Sequence, residues 1–223
     1  MNRVSHFFSS TLGKKQLMAI AGLGLCLFVL GHVLGNFLMF VGPEAYNMYG
    51  HKLTSNPLIY VAEAGLLALI TLHIIEGAWV TLQNRRARPQ GYAVSASGEK
   101  KTTLTQKTMM WQGTVILVFV VLHLITFKFG EIYMVRYGDQ EVRDLFRLVY
   151  EVFQSPVYVF WYIAAVLILG FHLSHGFYSS LQTLGFHHPK YSPKLKAASI
   201  AYGLIVGLGF AIQPIYMMFI YQA

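Results

Sequence analysis

Five of the nine histidines in this 223-residue chain fall inside long apolar segments. They are His32, His73, His123, His172 and His175. A histidine inside a membrane span is costly and needs a partner, so each of them requires an explanation. For a lone histidine, a hydrogen bond within the protein would be enough. Here four separate segments each carry at least one, and this favours a shared role. Paired imidazoles from facing helices can hold an iron porphyrin at both axial positions.

The segments that carry these histidines are long enough to cross a bilayer. Hydrophobic residues make up 55% of the chain and charged residues only 12%, about half the charged fraction usual in soluble domains. This composition excludes a soluble enzyme, a disordered protein and a nucleic-acid-binding domain. A span needs about 20 mostly apolar residues. We therefore predict an all-α integral membrane protein, a single transmembrane domain over residues 1–223. The five predicted transmembrane helices cover residues 14–41, 57–83, 106–128, 156–184 and 197–221.

The distribution of basic residues predicts the orientation of the bundle. Most of the 17 lysines and arginines lie in the N-terminal segment, the second-to-third loop and the fourth-to-fifth loop. By the positive-inside rule the N-terminus is cytoplasmic and the C-terminus is outside. The same basic loops would also suit a cytoplasmic docking partner. Apolar residues at helical spacing in the outer loop, about 129 to 155, predict a short surface helix. They are Val142, Leu145, Phe146, Val149 and Phe153.

Depth within the predicted helices indicates which histidines pair. Counted from the cytoplasmic helix ends, His32 and His123 lie about 18 and about 17 residues deep. His73 lies about 10 residues deep, between the values of about 12 for His172 and about 9 for His175. The counts predict an outer pair, His32 with His123, and an inner pair, His73 with His172 or His175. At 1.5 Å per residue the two levels differ by roughly 10 Å, as expected of two cofactors stacked across a bilayer.

Zinc is the competing interpretation of the histidines. Zinc needs three or four ligands at one point, and pairs at two depths do not provide them. The single cysteine, Cys26, also excludes a disulfide scaffold, a cysteine zinc site and a cysteine-ligated iron–sulfur cluster. We expect Cys26 to be a packed core residue.

An acidic residue in a span is a candidate for proton exchange, and Glu63 lies on the second helix near its outer end. A carboxyl that reaches the outer surface or pairs with a neighbour explains it equally well. Glu76, Glu44 and His51 are weaker candidates. Glu76 is near the inner end of its helix, where a carboxyl can reach water. Glu44 and His51 fall in a predicted loop.

In order along the chain, the segments around the histidines resemble one known family. They are LGHVLGNFLMFVGPEAYN around His32, LHIIEGAWV around His73, VLHLITF around His123 and FHLSHGFYSSLQTLG around His172. The chain is similar over essentially its whole length to the five-helix, di-haem cytochrome b membrane anchor of succinate:quinone oxidoreductases. This family comprises succinate dehydrogenases and fumarate reductases.

The resemblance implies two haem b groups. His32 and His123 would bind the outer iron, and His73 and His172 the inner iron. His175 would then be an alternative ligand or a propionate contact. The resemblance further implies a bacterial cytoplasmic membrane, with a flavoprotein and an iron–sulfur subunit on the cytoplasmic face. Electrons would pass between succinate or fumarate and a membrane quinone, commonly menaquinone. Glu63 would be the catalytic group for quinone protonation, and the dicarboxylate chemistry would belong to the partner subunits. The resemblance leaves room for a homodimer of the complex.

Two other functions stay open at this point. One is a haem b subunit that serves another membrane oxidoreductase, such as a hydrogenase or a formate dehydrogenase. The other is a transporter with a histidine-lined pathway, although the internal repeats and broken helices common in transporters are not evident in the sequence. No nucleic-acid partner is expected, because the basic residues lie in loops between apolar segments.

Overall fold

The computed structural model of the protein describes Phe7 and residues 10–87 and 104–221. Helix α1, Thr11–Asn36, continues into a 3-10 turn, Phe37–Phe40, and helix α4, Leu104–His123, continues into a π-helical turn, Leu124–Lys128. Two short strands form an antiparallel hairpin. In chain order the elements are α1 Thr11–Asn36, α2 Pro43–Thr54, α3 Leu58–Arg86, α4 Leu104–His123, β1 Met134–Tyr137, β2 Gln140–Arg143, α5 Leu145–Val152, α6 Pro156–Thr183 and α7 Ser192–Phe219.

Five of these helices are long and apolar enough to cross a membrane, which confirms the predicted all-α class and the number of spans. They are α1 with its 3-10 turn, α3, α4 with its π turn, α6 and α7. Proline marks two of the starts. Pro57 is the residue before α3, and Pro156 is the first residue of α6, where proline's missing N–H costs nothing.

Between the spans, one end of the bundle carries more regular structure than predicted. Helix α5 is the expected surface helix, but Val142 belongs to β2 rather than to that helix. The hairpin turns at Gly138, whose φ of 57° suits glycine. Glu44 and His51 were predicted in a loop and instead lie in α2. The Gly-Pro pair at 42–43 was the missed signal, since proline fits the first turn of a helix.

Asn47 holds these extra elements together. Its side chain is buried, and its amide donates to Asp144 Oδ1 (2.8 Å) and to the Tyr137 hydroxyl (3.1 Å). Its carbonyl oxygen accepts from the backbone N–H of Phe146 at 2.9 Å. One asparagine on α2 therefore joins the hairpin and α5 into a cap over this end of the bundle. The end capped in this way is the one predicted to be outside.

The spanning helices pack unevenly. Gly170 of α6 lies against the backbone of Gly203 and Gly207 of α7, so closely that an added Cβ at Gly170 would come 2.8 Å from the Gly203 carbonyl oxygen. Small residues at this contact let the two helices approach each other closely. Cys26 is buried, as predicted, in a cluster with Leu173 and Val206.

Helices α3 and α4 bury few side chains by contrast. Val80 is the buried residue of α3, and the described part of α4 has none. The buried side chains of the spans thus come mainly from α1, α6 and α7.

Candidate functional site

His32 and His123 face each other across the bundle, from α1 and α4. Their ring centroids are 5.8 Å apart and the rings are perpendicular, at 89°. Both side chains are half-buried. Tyr162 of α6 lies beside the pair, with its hydroxyl 3.4 Å from His123 Nδ1. The structure therefore brings together the two residues that the depth count assigned to the outer level.

A short polar chain leads from this pair to the cap. The Asn36 amide donates to the backbone carbonyl of His32 at 2.8 Å and lies 3.4 Å from His32 Nδ1. The hydroxyl of Tyr46 on α2 donates to Asn36 Oδ1 at 2.9 Å. Burial raises the pKa of Tyr46, so its hydroxyl stays protonated. Tyr46 on α2 thus holds Asn36 in place, and Asn36 in turn contacts the backbone of α1 at His32.

His73 and His172 form a second facing pair, from α3 and α6. Their ring centroids are 6.3 Å apart and the rings cross at 77°. His73 Nδ1 lies 3.2 Å from the backbone carbonyl oxygen of Met18 on α1. Because a carbonyl only accepts, Nδ1 of His73 must carry the proton. Its Nε2 then keeps the free electron pair, which is the tautomer of a metal ligand.

Glycines place the inner pair close to the neighbouring helix backbones. An added Cβ at Gly22 of α1 would come 3.2 Å from His73 Cε1. An added Cβ at Gly113 of α4 would come 3.8 Å from His172 Cε1. A Cβ at Gly22 would therefore require the His73 ring to shift by a few tenths of an ångström.

The positions of Gly22 and Gly113 beside the inner histidine pair also give its distance from the outer pair along the helices. Gly22 and His32 are ten residues apart on α1, and Gly113 and His123 are ten residues apart on α4. At 1.5 Å per residue the pairs are about 15 Å apart along the helices. The distance estimated from the sequence, roughly 10 Å, was smaller, because counting from the helix ends assumes that all the ends lie at one depth.

The structure distinguishes His172 from His175. His73 makes its ring contact with His172, and within the described residues no ring contact or hydrogen bond joins it to His175. His172 Nδ1 is buried without a hydrogen-bond partner. An unpaired buried nitrogen is rare, and none of the described residues satisfies this one.

The spacing within both pairs suits two ligands of one iron. Two imidazoles that bind a metal ion from opposite sides have ring centroids about 6 Å apart, because each metal–nitrogen bond is about 2 Å long and the nitrogen lies about 1 Å from the ring centre. In the part of the chain that the structure describes, no hydrogen bond reaches Nε2 of any of the four histidines. The residues present therefore fit two bis-histidine haem sites, and the ligand assignment stays a prediction.

Two more buried polar atoms lie on the inner half of the bundle. One carboxylate oxygen of Glu76 and the amide oxygen of Gln112 are buried without partners. Glu76 was expected to reach water, but it follows His73 by three residues and so shares its helix face. Gln112 directly precedes Gly113, which lies beside His172. Unpaired polar atoms near one histidine pair favour a polar or ligand-filled interior over simple helix packing.

Glu63, the predicted proton-exchanging residue, forms an ion pair with Lys128. The pair joins α3 to the π turn at the end of α4, five residues beyond His123. Both side chains are partly exposed, at 43% and 39%. This ion pair agrees with the structural alternative, in which the Glu63 carboxyl pairs with a neighbouring residue. A π turn beside it also agrees with a functional role, because π turns occur often at functional sites. The geometry is therefore compatible with either role.

Sequence reasoning missed the residues that orient the histidines. Asn36 follows His32 by four residues, and this helical spacing was a usable signal. Tyr162 and the carbonyl of Met18 had no such signal, because they approach from other helices. The described residues include no group of three or more His, Cys, Asp or Glu side chains able to hold a metal ion.

Comparison of the chain with models of protein families, with curated proteins and with solved structures finds no match in any of the three.

Proposed function

We propose that this protein is the di-haem cytochrome b membrane anchor of a succinate:quinone oxidoreductase. One observation supports this above all others. Two facing histidine pairs lie about 15 Å apart along the helices, with ring centroids separated by 5.8 and 6.3 Å. A transporter pathway would not require histidines to pair at these distances on four different helices.

The chain's own residues would hold the two groups in fixed positions. His32 and His123 would bind the outer haem iron, and His73 and His172 the inner one. The Met18 carbonyl sets the tautomer of His73, and Gly22 leaves the space that its ring needs. When bound, two haems would supply one-electron carriers at two depths of the membrane. The surrounding helices would keep water away from both groups.

Quinone chemistry needs a residue that exchanges protons with the ring oxygens. Glu63 would hold the proton at its carboxylate on the outer side, near the His32–His123 level. Lys128 pairs with this carboxylate and would hold it in position on the outer side. The substrate would be menaquinone or another membrane quinone.

The distribution of basic residues supports the proposed membrane orientation and the proposed side for partner subunits. The basic residues that begin α1 and end α3 would face the cytoplasm of a bacterium, with the C-terminus outside. A flavoprotein subunit and an iron–sulfur subunit would dock on that face and carry out the succinate or fumarate chemistry. Within the described residues the cysteine and metal-ligand content suits no such centre, so those parts belong to partners.

A visible spectrum with co-purification of partners tests this function. We expect a Soret band with b-type α bands, together with a flavoprotein and an iron–sulfur protein from mild detergent. A Soret band with a hydrogenase or a formate dehydrogenase as partner would keep the cytochrome and reject the succinate complex. A protein without a Soret band would reject both.

A further inference from the structure

A cavity of about 480 Å³ opens at the basic end of the bundle, between the start of α1 and the end of α3. Its volume is within the range of small-molecule sites. None of the residues around it belongs to the histidine pairs or to the Glu63–Lys128 ion pair. The lining residues are Thr11, Trp79, Leu82, Gln83, Arg86 and Ala87.

The charge at this cavity is positive. Arg86 lines it, and the ammonium group of Lys14 lies 3.8 Å from the centre of the Trp79 ring, a cation–π contact. Neither cation has an acidic partner among the described residues, where the ion pairs are Lys128–Glu63 and Arg147–Glu151. Two cations without a counter-charge beside one cavity indicate an anionic ligand.

An apolar strip continues from the cavity along α3. Ile75, Trp79 and Leu82 follow helical spacing and are 58%, 42% and 47% exposed. Two of them, Trp79 and Leu82, also line the cavity. The strip runs from the charged end toward the middle of the span. A ligand that fills both parts would have an anionic head and a hydrocarbon chain.

We propose that the cavity binds the headgroup of an anionic phospholipid. The phosphate would lie between Lys14 and Arg86, and one acyl chain would follow Ile75, Trp79 and Leu82. Basic pockets between transmembrane helices on the cytoplasmic side are suited to such headgroups. The lipid would tie α1 to α3, where Thr11 Oγ1 and Gln83 Oε1 already meet at 3.4 Å. This proposal does not depend on haem or quinone.

The test uses the purified full chain in phosphatidylcholine nanodiscs, with and without phosphatidylglycerol. Native mass spectrometry counts the lipid retained, and Tm reports stabilisation. We expect one tightly held phosphatidylglycerol per chain and a higher Tm. The K14Q/R86Q double variant should weaken binding by roughly 25-fold, about fivefold for each charge. Arg85 is exposed and does not line the cavity, so R85Q is the matched control and should retain the lipid.

Four results would overturn the lipid site. One is equal retention of phosphatidylcholine and phosphatidylglycerol, and another is an R85Q loss as large as that of the double variant. A third is the same rise in Tm from inorganic phosphate in pure phosphatidylcholine, which would make this a free-anion site. The fourth is unchanged lipid binding in K14Q/R86Q with loss of a cytoplasmic protein partner. The visible spectrum of the same samples reports on the histidine pairs separately.

Discussion

His73 Nδ1 on α3 lies 3.2 Å from the backbone carbonyl oxygen of Met18 on α1. This contact connects two spans and leaves His73 with a free electron pair on Nε2. The ring that it orients faces His172. A backbone carbonyl is a fixed acceptor, so the tautomer of His73 follows from the packing of α1 against α3.

The first prediction concerns the inner pair. His172→Ala should lose the inner haem, because a single axial ligand cannot replace the facing pair, and the haem content should fall from two to one per chain. His175→Ala is the matched control, three residues along the same helix, and should keep both. Pyridine haemochromogen analysis of the purified variants gives the ratio. The assignment would be reversed by haem loss in His175→Ala together with full content in His172→Ala.

The second prediction uses the space at Gly22. A leucine there would place its Cβ 3.2 Å from His73 Cε1, and its three further carbon atoms would need additional space beside the ring. We expect Gly22→Leu to displace His73 and remove the inner haem while the outer haem stays. An added Cβ at Gly65 on α3 meets no atom within 4 Å, so Gly65→Leu should leave both haems. Redox difference spectra distinguish the two variants, and an intact inner haem in Gly22→Leu would count against the His73 site.

How much of this could be read from the sequence depends on the kind of contact. The spans followed from segment length and hydropathy, and the histidine pairs followed from counting residues along regular helices. The Met18 carbonyl and the Tyr162 hydroxyl could not be foreseen, because they depend on how one helix is rotated toward another. Helix α2 was missed because its polar sequence has no apolar periodicity, although Gly42 and Pro43 mark its start.

The third prediction addresses quinone turnover. Glu63→Gln should suppress quinone-linked activity of the complex by at least tenfold, since an amide cannot exchange the proton. Both haems and dye-linked succinate activity should be unchanged. Glu131, an exposed acid outside the spans, is the control, and Glu131→Gln should turn over quinone normally. Normal quinone activity in Glu63→Gln would leave the Lys128 ion pair with a structural role only.

The fourth prediction concerns pH and the outer cap. The hydrogen bond from Arg147 Nε (2.8 Å), followed by that from the Tyr133 hydroxyl (2.7 Å), lowers the pKa of Glu151. The folded state therefore favours the carboxylate. This contribution is present above the ordinary pKa of glutamate and is lost as pH falls through the lower, folded pKa. Arg147→Met should raise the pKa of Glu151 in a carbon-13 NMR titration, whereas Arg136→Met should not. Equal values in both variants would contradict the assigned cause.

Haem content per chain tests the central claim most directly, because both histidine pairs and the proposed function depend on it. The purified protein is assayed as pyridine haemochromogen and the haem is divided by chain concentration from amino-acid analysis. The paired geometry of His32 with His123 and of His73 with His172 predicts a ratio close to two. A ratio near one would remove one pair from the account. A ratio near zero in protein purified from haem-sufficient cells would contradict the di-haem cytochrome altogether.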